Sequence, residues 1–169
     1  MFILQFWVYM LRSFPPLNTT QVLHLLNHRH GKHTLGVFSL DQLPSNPPRG
    51  RKGAYCFIVN TDPAHLPGSH WLAVYVNLAK RTGQVFDSYG RPPPLTLQKW
   101  LTKNVRHWTY NKKYLQGPLT ALCGLYCIYV LDRICSTDCA VKMITNYEFH
   151  DTSTMNDLMI YQYYKRYLQ

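Results

Sequence analysis

The stretch that most constrains this chain is QGPLTALCGLYCIYVLDRIC, residues 116–135. It is largely apolar after its Gly-Pro break, which is typical of a helix buried at the centre of a domain. We expect that helix to begin at or near Cys123, because Gly117 and Pro118 interrupt the chain just before it. A helix start carries unpaired N–H groups and the positive end of the helix dipole, and both favour a thiolate. Gly124 would let the backbone of a substrate approach closely.

The segments around this helix predict an α+β domain. In chain order the patterns indicate a capped helix at 18–31, strands at 54–61, 70–78 and 84–90, a proline-led helix at 91–105, a short strand within 108–117, and a closing helix at 153–168 with a Thr154-x-x-Asp157 capping box. Residues 44–53 are rich in proline and glycine and predict a loop. We therefore expect a small, mostly antiparallel central sheet packed on the central cysteine helix, with flanking helices.

Length and charge limit the classes of function. The 169 residues suit one domain with a core of its own. Charged residues make up only 15% of the chain, yet the net charge is +10, which favours acidic partners such as nucleic acid or an anionic membrane. The five cysteines have no regular disulfide spacing, so we expect a reducing compartment in which the thiols stay reduced.

The N-terminal residues are a separate case. Residues 1–11 carry no charge, but they are too few to span a bilayer and lack the basic leader of a signal peptide. Two prolines at 15 and 16 end this run. We treat residues 1–17 as an N-terminal extension that packs on the domain as a strand or helix, and residues 18–169 as the main domain. Membrane association of the extension is the less favoured alternative.

Three further residues fit a thiol nucleophile at Cys123. The nucleophile needs a base that takes its proton and later returns it, and His70 lies at the head of the second predicted strand. Asp87 ends the next strand, and an up-and-down strand pair can bring it beside His70 to orient the imidazole ring. Gln116 offers an amide N–H that, with the backbone N–H of Cys123, can bind an oxyanion.

Each of these residues also has a plainer interpretation. A cysteine at a helix start is commonly a small buried hydrophobe. A histidine before a tryptophan is commonly a strand-edge polar group, and Asp-Ser-Tyr-Gly is commonly only a turn. All four together, each at the end of a suitable element, favour a catalytic set of His70, Asp87, Gln116 and Cys123.

The motifs around these residues resemble the adenovirus endopeptidase (adenain) family, within the wider clan of ubiquitin-like-protein proteases. The likeness lies in IVNTDPAHLPGSHWLAVYVNLAKRTGQVFDSYG and QGPLTALCGLYC, more weakly in KMITNYEF and YQYYKRYLQ, and covers roughly residues 18–169. It implies a papain-like, adenain-like fold and a cysteine endopeptidase. The resemblance makes His70 the general base, Asp87 its orienting acid, Gln116 the oxyanion donor and Cys123 the nucleophile.

Two departures from the family pattern matter for activation. Adenovirus enzymes carry Glu where this chain has Asp87. Because Asp is usual at this position in the wider clan, the resemblance still makes Asp87 the acid that orients His70. In adenovirus enzymes the stretch between acid and nucleophile is longer and holds a cysteine that bonds an activating viral peptide. Residues 88–122 contain no cysteine, so a disulfide-linked activator is excluded there. DNA or a viral peptide held without a disulfide is left open as activator, and the sequence requires no other cofactor.

Other cysteines and histidines raise the question of metal. Cys123, Cys127, Cys135 and Cys139 form two C-x3-C pairs, but four zinc ligands on one helix and its exit need a folded-back geometry. We therefore expect no metal, with Cys127 packed inward. The histidines at 24, 28, 30 and 33 have no carboxylate or cysteine near them in sequence, and we interpret them as a solvated helix end.

Basic segments are scattered over the chain, at residues 49–52, 79–81, 111–113 and 163–167. Each is compatible with an ordinary solvated surface. Together with the +10 charge they favour DNA binding that is independent of sequence and sensitive to salt, which the resemblance also implies.

We predict a viral cysteine endopeptidase that cleaves precursor capsid and core proteins during virion maturation, through an acyl-enzyme on Cys123. The resemblance implies a preference for small residues, especially glycine, before the cut, and a location in the host nucleus and the virion. One alternative is an isopeptidase that removes ubiquitin or ubiquitin-like modifiers, which the same four residues would serve. The other is an inactive, basic, DNA-associated structural protein. We expect a monomer without a membrane partner.

Overall fold

The computed structural model describes residues 9–44, 53–137 and 139–165, and these ranges form an α+β domain, as predicted. The helices and strands follow in the order α1 (Thr19–His30), β1 (Thr34–Phe38), β2 (Ala54–Asn60), β3 (Trp71–Asn77), β4 (Thr82–Phe86), α2 (Leu95–Asn104), β5 (His107–Tyr110), α3 (Cys123–Thr137), α4 (Val141–Tyr147) and α5 (Ser153–Tyr164). A 3-10 turn, Leu40–Gln42, follows β1, and residues 9–13 are helical. α3 begins at the predicted cysteine.

The strands of the described ranges form one sheet in the order β1-β2-β3-β4-β5. The three central strands are antiparallel neighbours, as predicted, whereas each edge strand runs parallel to its neighbour. The sequence does not predict β1 or α4. β1 shifts register between Thr34 and Gly36, and Gly36 has a φ of 128°, so the strand lacks a clear two-residue alternation. α4 has only seven residues, too few for a clear helical period.

α1 begins where its sequence predicts. The side chain of Asn18 accepts a hydrogen bond from the backbone N–H of Gln21, and the side chain of Gln21 accepts one from the backbone N–H of Asn18, each at 2.9 Å. This reciprocal capping box satisfies two N–H groups at the helix start. The apolar side of α1 joins the core around α3 through Val22, Leu25 and Leu26.

Apolar side chains cover both faces of the sheet. On one face lies α3, which is buried along almost its whole length from Cys123 to Leu131. On the other face α2 packs Leu97, Trp100 and Leu101 against residues of β2 and β3. Because the central strands are buried on both sides, they are continuous apolar runs rather than alternating ones.

Residues 9–17 contribute to the same core as α3. Leu11 and Leu17 are buried there, and the Leu17 carbonyl accepts a 3.0 Å hydrogen bond from the indole N–H of Trp71. Residues 1–8, the larger part of the uncharged run, lie outside the described residues, as do residues 45–52 of the predicted loop. No helix in the described ranges has the length and apolar character needed to cross a membrane.

The predicted Thr154-x-x-Asp157 capping box is wrong. The N-cap of α5 is Thr152, which makes no side-chain capping bond, and both predicted residues lie inside the helix. The Asp157 carboxylate is buried and accepts a hydrogen bond from the backbone N–H of Gly117, 40 residues earlier. The four-residue motif has the correct residue types, but tertiary contacts determine what this carboxylate binds.

Candidate active site

His70 and Asp87 meet at one edge of the antiparallel pair formed by β3 and β4. His70 directly precedes β3 and Asp87 directly follows β4, so the antiparallel pairing brings these two strand ends together. His70 Nε2 lies 2.6 Å from Asp87 Oδ1, and both side chains are largely buried. The sequence prediction that these two residues are neighbours is consistent with this geometry.

Backbone groups and Asn111 hold Asp87 in place. The carboxylate accepts hydrogen bonds from the backbone N–H groups of Tyr89, at 2.8 Å, and Arg91, at 3.1 Å. Asn111 spans the Asp87 backbone, accepting from its N–H at 2.8 Å and donating to its carbonyl at 2.6 Å. The carboxylate is therefore fixed toward the imidazole and satisfied on its other side.

Cys123 is the first residue of α3 and lies against His70. It is 7% exposed, and its thiol is close enough to the imidazole to raise the pKa of His70. Burial by itself lowers the pKa of His70, but hydrogen bonds with Asp87 and Cys123 outweigh it and raise the pKa to about 9. Because Nε2 of His70 contacts Asp87, the imidazole nitrogen available to Cys123 is Nδ1. The row of thiol, imidazole and carboxylate can hold a thiolate beside an imidazolium.

Gln116 places an amide beside this row, just before α3. It is 1% exposed, and its Nε2 donates to the Thr120 carbonyl at 2.6 Å. Its Oε1 accepts a 2.7 Å hydrogen bond from Ser88 Oγ, and because the Thr120 carbonyl can only accept, the amide nitrogen must be the end that faces it. An amide nitrogen carries two N–H groups, so the second can be donated to an oxyanion, as can the backbone N–H at the helix start.

The loop between Gln116 and α3 is anchored by Asp157. Besides the Gly117 N–H, its carboxylate accepts hydrogen bonds from Thr120 Oγ1 at 3.0 Å and from Tyr126 Oη at 2.7 Å. Burial raises the pKa of Asp157, against the opposing effect of these hydrogen bonds. A Cβ atom on Gly117 would come 2.6 Å from Asp157 Oδ2, so the close approach requires glycine.

Aromatic rings cover the imidazole. The ring of Tyr89 stacks on His70, with centroids 4.9 Å apart and planes inclined by 24°, and Tyr114 stacks on Tyr89 at 5.5 Å. The guanidinium of Arg91 lies 4.8 Å from the centroid of the Tyr89 ring. An imidazolium against an aromatic face is stabilised electrostatically, so Tyr89 favours the charged form of His70.

Gly124 does not have the predicted role. A Cβ atom there would lie 3.3–3.4 Å from Val22, Leu17 and Trp71, so the glycine faces the protein core rather than a bound substrate. It permits the close packing of α3 against the N-terminal segment. Cys127, one turn further along, packs inward as predicted: it is fully buried, and its thiol donates to the Trp71 carbonyl at 3.3 Å.

Sequence reasoning missed Ser88, Asn111 and Tyr89. Ser88 and Tyr89 stand within the same DSYG turn that singled out Asp87, which is a signal available in the sequence. Asn111 belongs to a segment interpreted as a short strand with a loop and as basic surface, and it reaches Asp87 because β5 runs parallel to β4. That edge pairing has no local signature.

The interpretation of the histidines as a solvated helix end is wrong for His30. His30 is buried, and its Nε2 lies 2.5 Å from Asp132 Oδ1 on α3. The carboxylate comes from about a hundred residues later in the chain, so no sequence neighbour reveals it. This second cluster is separate from the one at Cys123.

Comparison with known protein families matches residues 55–159 to the Ulp1 protease family, C-terminal catalytic domain. That range includes the four predicted site residues. In sequence the chain is similar to the Protease of Porcine adenovirus A serotype 3, at 34% identity over an alignment of 91 residues. The alignment covers 45% of each chain, so this chain spans less than half the length of the curated relative it matches.

The fold is similar to those of two solved structures. The chain resembles ChlaDub1 from Chlamydia trachomatis with a TM-score of 0.62 and 14% identity over 90% of both chains. It also resembles the ASFV protease with a TM-score of 0.60 and 16% identity, over 88% of this chain and 68% of that one. At these identities the likeness concerns the fold alone, and it confirms the predicted fold class.

Proposed function

This chain belongs to the Ulp1 protease family, a family of cysteine proteases, and within it we propose an adenain-type endopeptidase that cleaves precursor capsid and core proteins during virion maturation. The observation that carries the chemical part of the proposal is the contiguous row Asp87, His70 and Cys123 at the start of a buried helix. The observation that carries the substrate class is the likeness to an adenovirus protease.

In the proposed first step, the Cys123 thiolate attacks the scissile carbonyl carbon. The oxyanion that forms accepts hydrogen bonds from Gln116 Nε2 and the backbone N–H of Cys123. His70, protonated and held by Asp87, then gives its proton to the leaving amine as the carbon–nitrogen bond breaks. The products of this step are the free amine and a thioester on Cys123.

The second step returns the enzyme to its first state. Neutral His70 takes a proton from a water molecule, and the resulting hydroxide attacks the thioester carbonyl. The same two N–H donors receive the oxyanion. Collapse of the tetrahedral intermediate releases the carboxylic acid, and the sulfur leaves as thiolate beside the imidazolium.

The ring of Tyr89 covers one face of the His70 imidazole, and the ring of Tyr114 stacks on Tyr89. The resemblance to adenovirus endopeptidases implies small residues, especially glycine, before the scissile bond. Peptides with glycine at that position are therefore the proposed substrates.

The second candidate is an isopeptidase for ubiquitin-like modifiers, and the family match over residues 55–159 favours it. Both substrates end in glycine at the cut, so the chemistry does not separate them. The test is cleavage of fluorogenic glycine peptides and of modifier conjugates by the full chain, beside Cys123→Ala. Cleavage of short peptides supports the endopeptidase, cleavage of conjugates alone supports the isopeptidase, and cleavage of neither by wild type overturns both.

We also infer that the protein associates with DNA, which fits the proposed site of action in the host nucleus and the virion. The support is the +10 charge and a groove on the β5 side of the domain that carries Lys112, Lys113 and Lys142. Binding of unrelated duplexes with equal affinity, weakening steeply as salt increases, is the expected result. Adding DNA to the peptide assay tests whether it also serves as activator.

A further inference from the structure

Arg91 is an exposed arginine at the border of the candidate active site. Its guanidinium lies 4.8 Å from the centroid of the Tyr89 ring, and that ring stacks on His70 at 4.9 Å. The guanidinium is therefore no more than about 10 Å from the centre of the imidazole, a span that an extended peptide covers in about three residues. Within the described ranges, no carboxylate forms an ion pair with this guanidinium.

The backbone that carries Arg91 is held in place. Its N–H donates to Asp87 Oδ2 at 3.1 Å, and the N–H of Gly90 donates to the Asp87 carbonyl at 2.9 Å. Gly90 has a φ of 66°, and a Cβ atom there would come 2.8 Å from the Lys112 carbonyl oxygen, so the turn packs closely on that segment. The prolines at 92–94 favour an extended backbone at Arg91. A fixed backbone lowers the entropy lost when the side chain binds a ligand.

Two lysines on the neighbouring segment differ from Arg91 in their surroundings. Lys113 Nζ forms a 3.5 Å ion pair with the exposed Asp151, and Lys112 Nζ lies 6.0 Å from the centroid of the Tyr110 ring. Together with Arg91 they make this border of the active site positively charged. Such a border attracts acidic substrates and repels basic ones.

The position of Arg91 beside His70 determines which part of a substrate it meets. In the proposed reaction His70 gives its proton to the leaving amine, so the residues that follow the scissile bond pass on the histidine side of Cys123. Arg91 is linked to His70 through the ring of Tyr89 and lies on that same side. A planar guanidinium can bind a carboxylate through two parallel hydrogen bonds, which suits an Asp or Glu side chain.

We propose that Arg91 is a specificity-determining residue that binds an Asp or Glu side chain within the first three residues after the scissile bond. This inference rests on the proposed cysteine-protease function and adds to it the charge of the substrate on the leaving side. Arg91 forms no covalent bond and transfers no proton. It contributes binding energy to substrates that carry the acid.

The experiment compares glycine peptides that carry Glu, Gln or Lys at each of the first three positions after the cut. At one of these positions wild type is expected to cleave the Glu peptide with a kcat/KM about 5-fold above that of the Gln peptide, and the Lys peptide more slowly still. Arg91→Gln should lose this preference, and Arg91→Glu should reverse it toward Lys.

Arg106→Gln is the matched control, because Arg106 is an exposed arginine just before β5, at the end of β4 opposite to Asp87. It should keep the wild-type preference. Two outcomes overturn the proposal. One is an unchanged preference in Arg91→Gln. The other is an equal loss of kcat/KM on all peptides in that variant, because it would mean that Arg91 only supports Tyr89.

A binding measurement separates this inference from the proposed function. In a Cys123→Ala background, fluorescence anisotropy gives the Kd of the same peptides without cleavage. The Glu peptide should bind about 5-fold more tightly than the Gln peptide, and adding Arg91→Gln should make the two equal. If wild type cleaves no peptide, the proposed function fails, whereas this readout still tests Arg91. Equal Kd values in Cys123→Ala overturn the assignment. So does a loss of DNA binding in Arg91→Gln with the peptide preference intact, which would assign the guanidinium to phosphate.

Discussion

Ser88 Oγ donates a 2.7 Å hydrogen bond to Gln116 Oε1, which joins the turn that carries Asp87 to the loop that precedes Cys123. The backbone strengthens the link, because the Ser88 carbonyl accepts hydrogen bonds from the N–H groups of Leu115 and Gln116. The carboxylate that orients the imidazole and the amide proposed to bind the oxyanion are thus positioned by consecutive residues, Asp87 and Ser88. A disturbance of this turn should affect both.

Replacing Ser88 with alanine tests the positioning of the amide. Without the hydroxyl, the Gln116 amide keeps its bond to the Thr120 carbonyl but loses its other support, so its free N–H is held less well toward the oxyanion, and kcat should fall about 10-fold with KM within about 2-fold. Steady-state kinetics on a glycine peptide give both values. Ser136→Ala, on the exposed end of α3, is the control and should match wild type. An unchanged kcat in Ser88→Ala would show that the amide needs no such fixing.

The pH profile tests the pairing of His70 with Asp87. Because the pKa of His70 is raised to about 9, the proton needed by the leaving amine is present below that pH and lost above it. Activity should therefore fall as the pH rises through about 9. In Asp87→Asn the imidazolium loses its carboxylate. The fall in activity at high pH, the alkaline limb of the pH profile, should therefore occur at a pH lower by at least about 1 unit. Asp151→Asn, a fully exposed carboxylate, is the control. Identical limbs in Asp87→Asn and wild type would contradict the pairing.

Tyr89 offers a test of the stacked ring. Tyr89→Phe keeps an aromatic face on His70 and should leave the alkaline limb within about 0.3 units of wild type, whereas Tyr89→Leu should lower it by roughly 0.5–1 unit. The backbone N–H of residue 89 still reaches Asp87 in both variants. Tyr147→Leu removes an exposed ring elsewhere and serves as the control. Equal shifts in the Phe and Leu variants would mean that the hydroxyl, not the ring, matters.

Gly117→Ala tests the anchoring of the loop on Asp157. The new Cβ would lie 2.6 Å from Asp157 Oδ2, so either the loop or α5 must move, at a cost of about 1–3 kcal/mol in the free energy of unfolding. Urea denaturation measures this directly. Leu119→Ala, at an exposed position in the same loop, should stay within about 0.5 kcal/mol of wild type. Equal stability of the two variants would refute the close approach.

Much of this architecture follows from local sequence patterns. The cap of α1, the central strands, the start of α3 and the placement of His70 and Asp87 at facing strand ends all rest on short-range signals. The parts that sequence reasoning missed depend on distant pairings. Gly124 faces Leu17 and Val22, and Asp157 anchors a loop about forty residues earlier.

The second cluster shows the same limit. His30 and Asp132 are ordinary in their own segments, and only the packing of α1 on α3 turns them into a buried pair. Likewise, Asn111 reaches Asp87 only through the parallel pairing of β5 with β4. Contacts of this kind are fixed by the tertiary fold, for which periodicity and capping motifs carry no signal.

The central claim is that Cys123 is the nucleophile, and covalent trapping tests it most directly. The full chain is incubated with a glycine-ending peptidyl vinyl sulfone and its adduct is mapped by mass spectrometry, beside Cys123→Ala and Cys135→Ser. The account predicts one adduct on Cys123, absent in Cys123→Ala and formed at the wild-type rate in Cys135→Ser. An adduct on another cysteine, or undiminished labelling of Cys123→Ala, would contradict it.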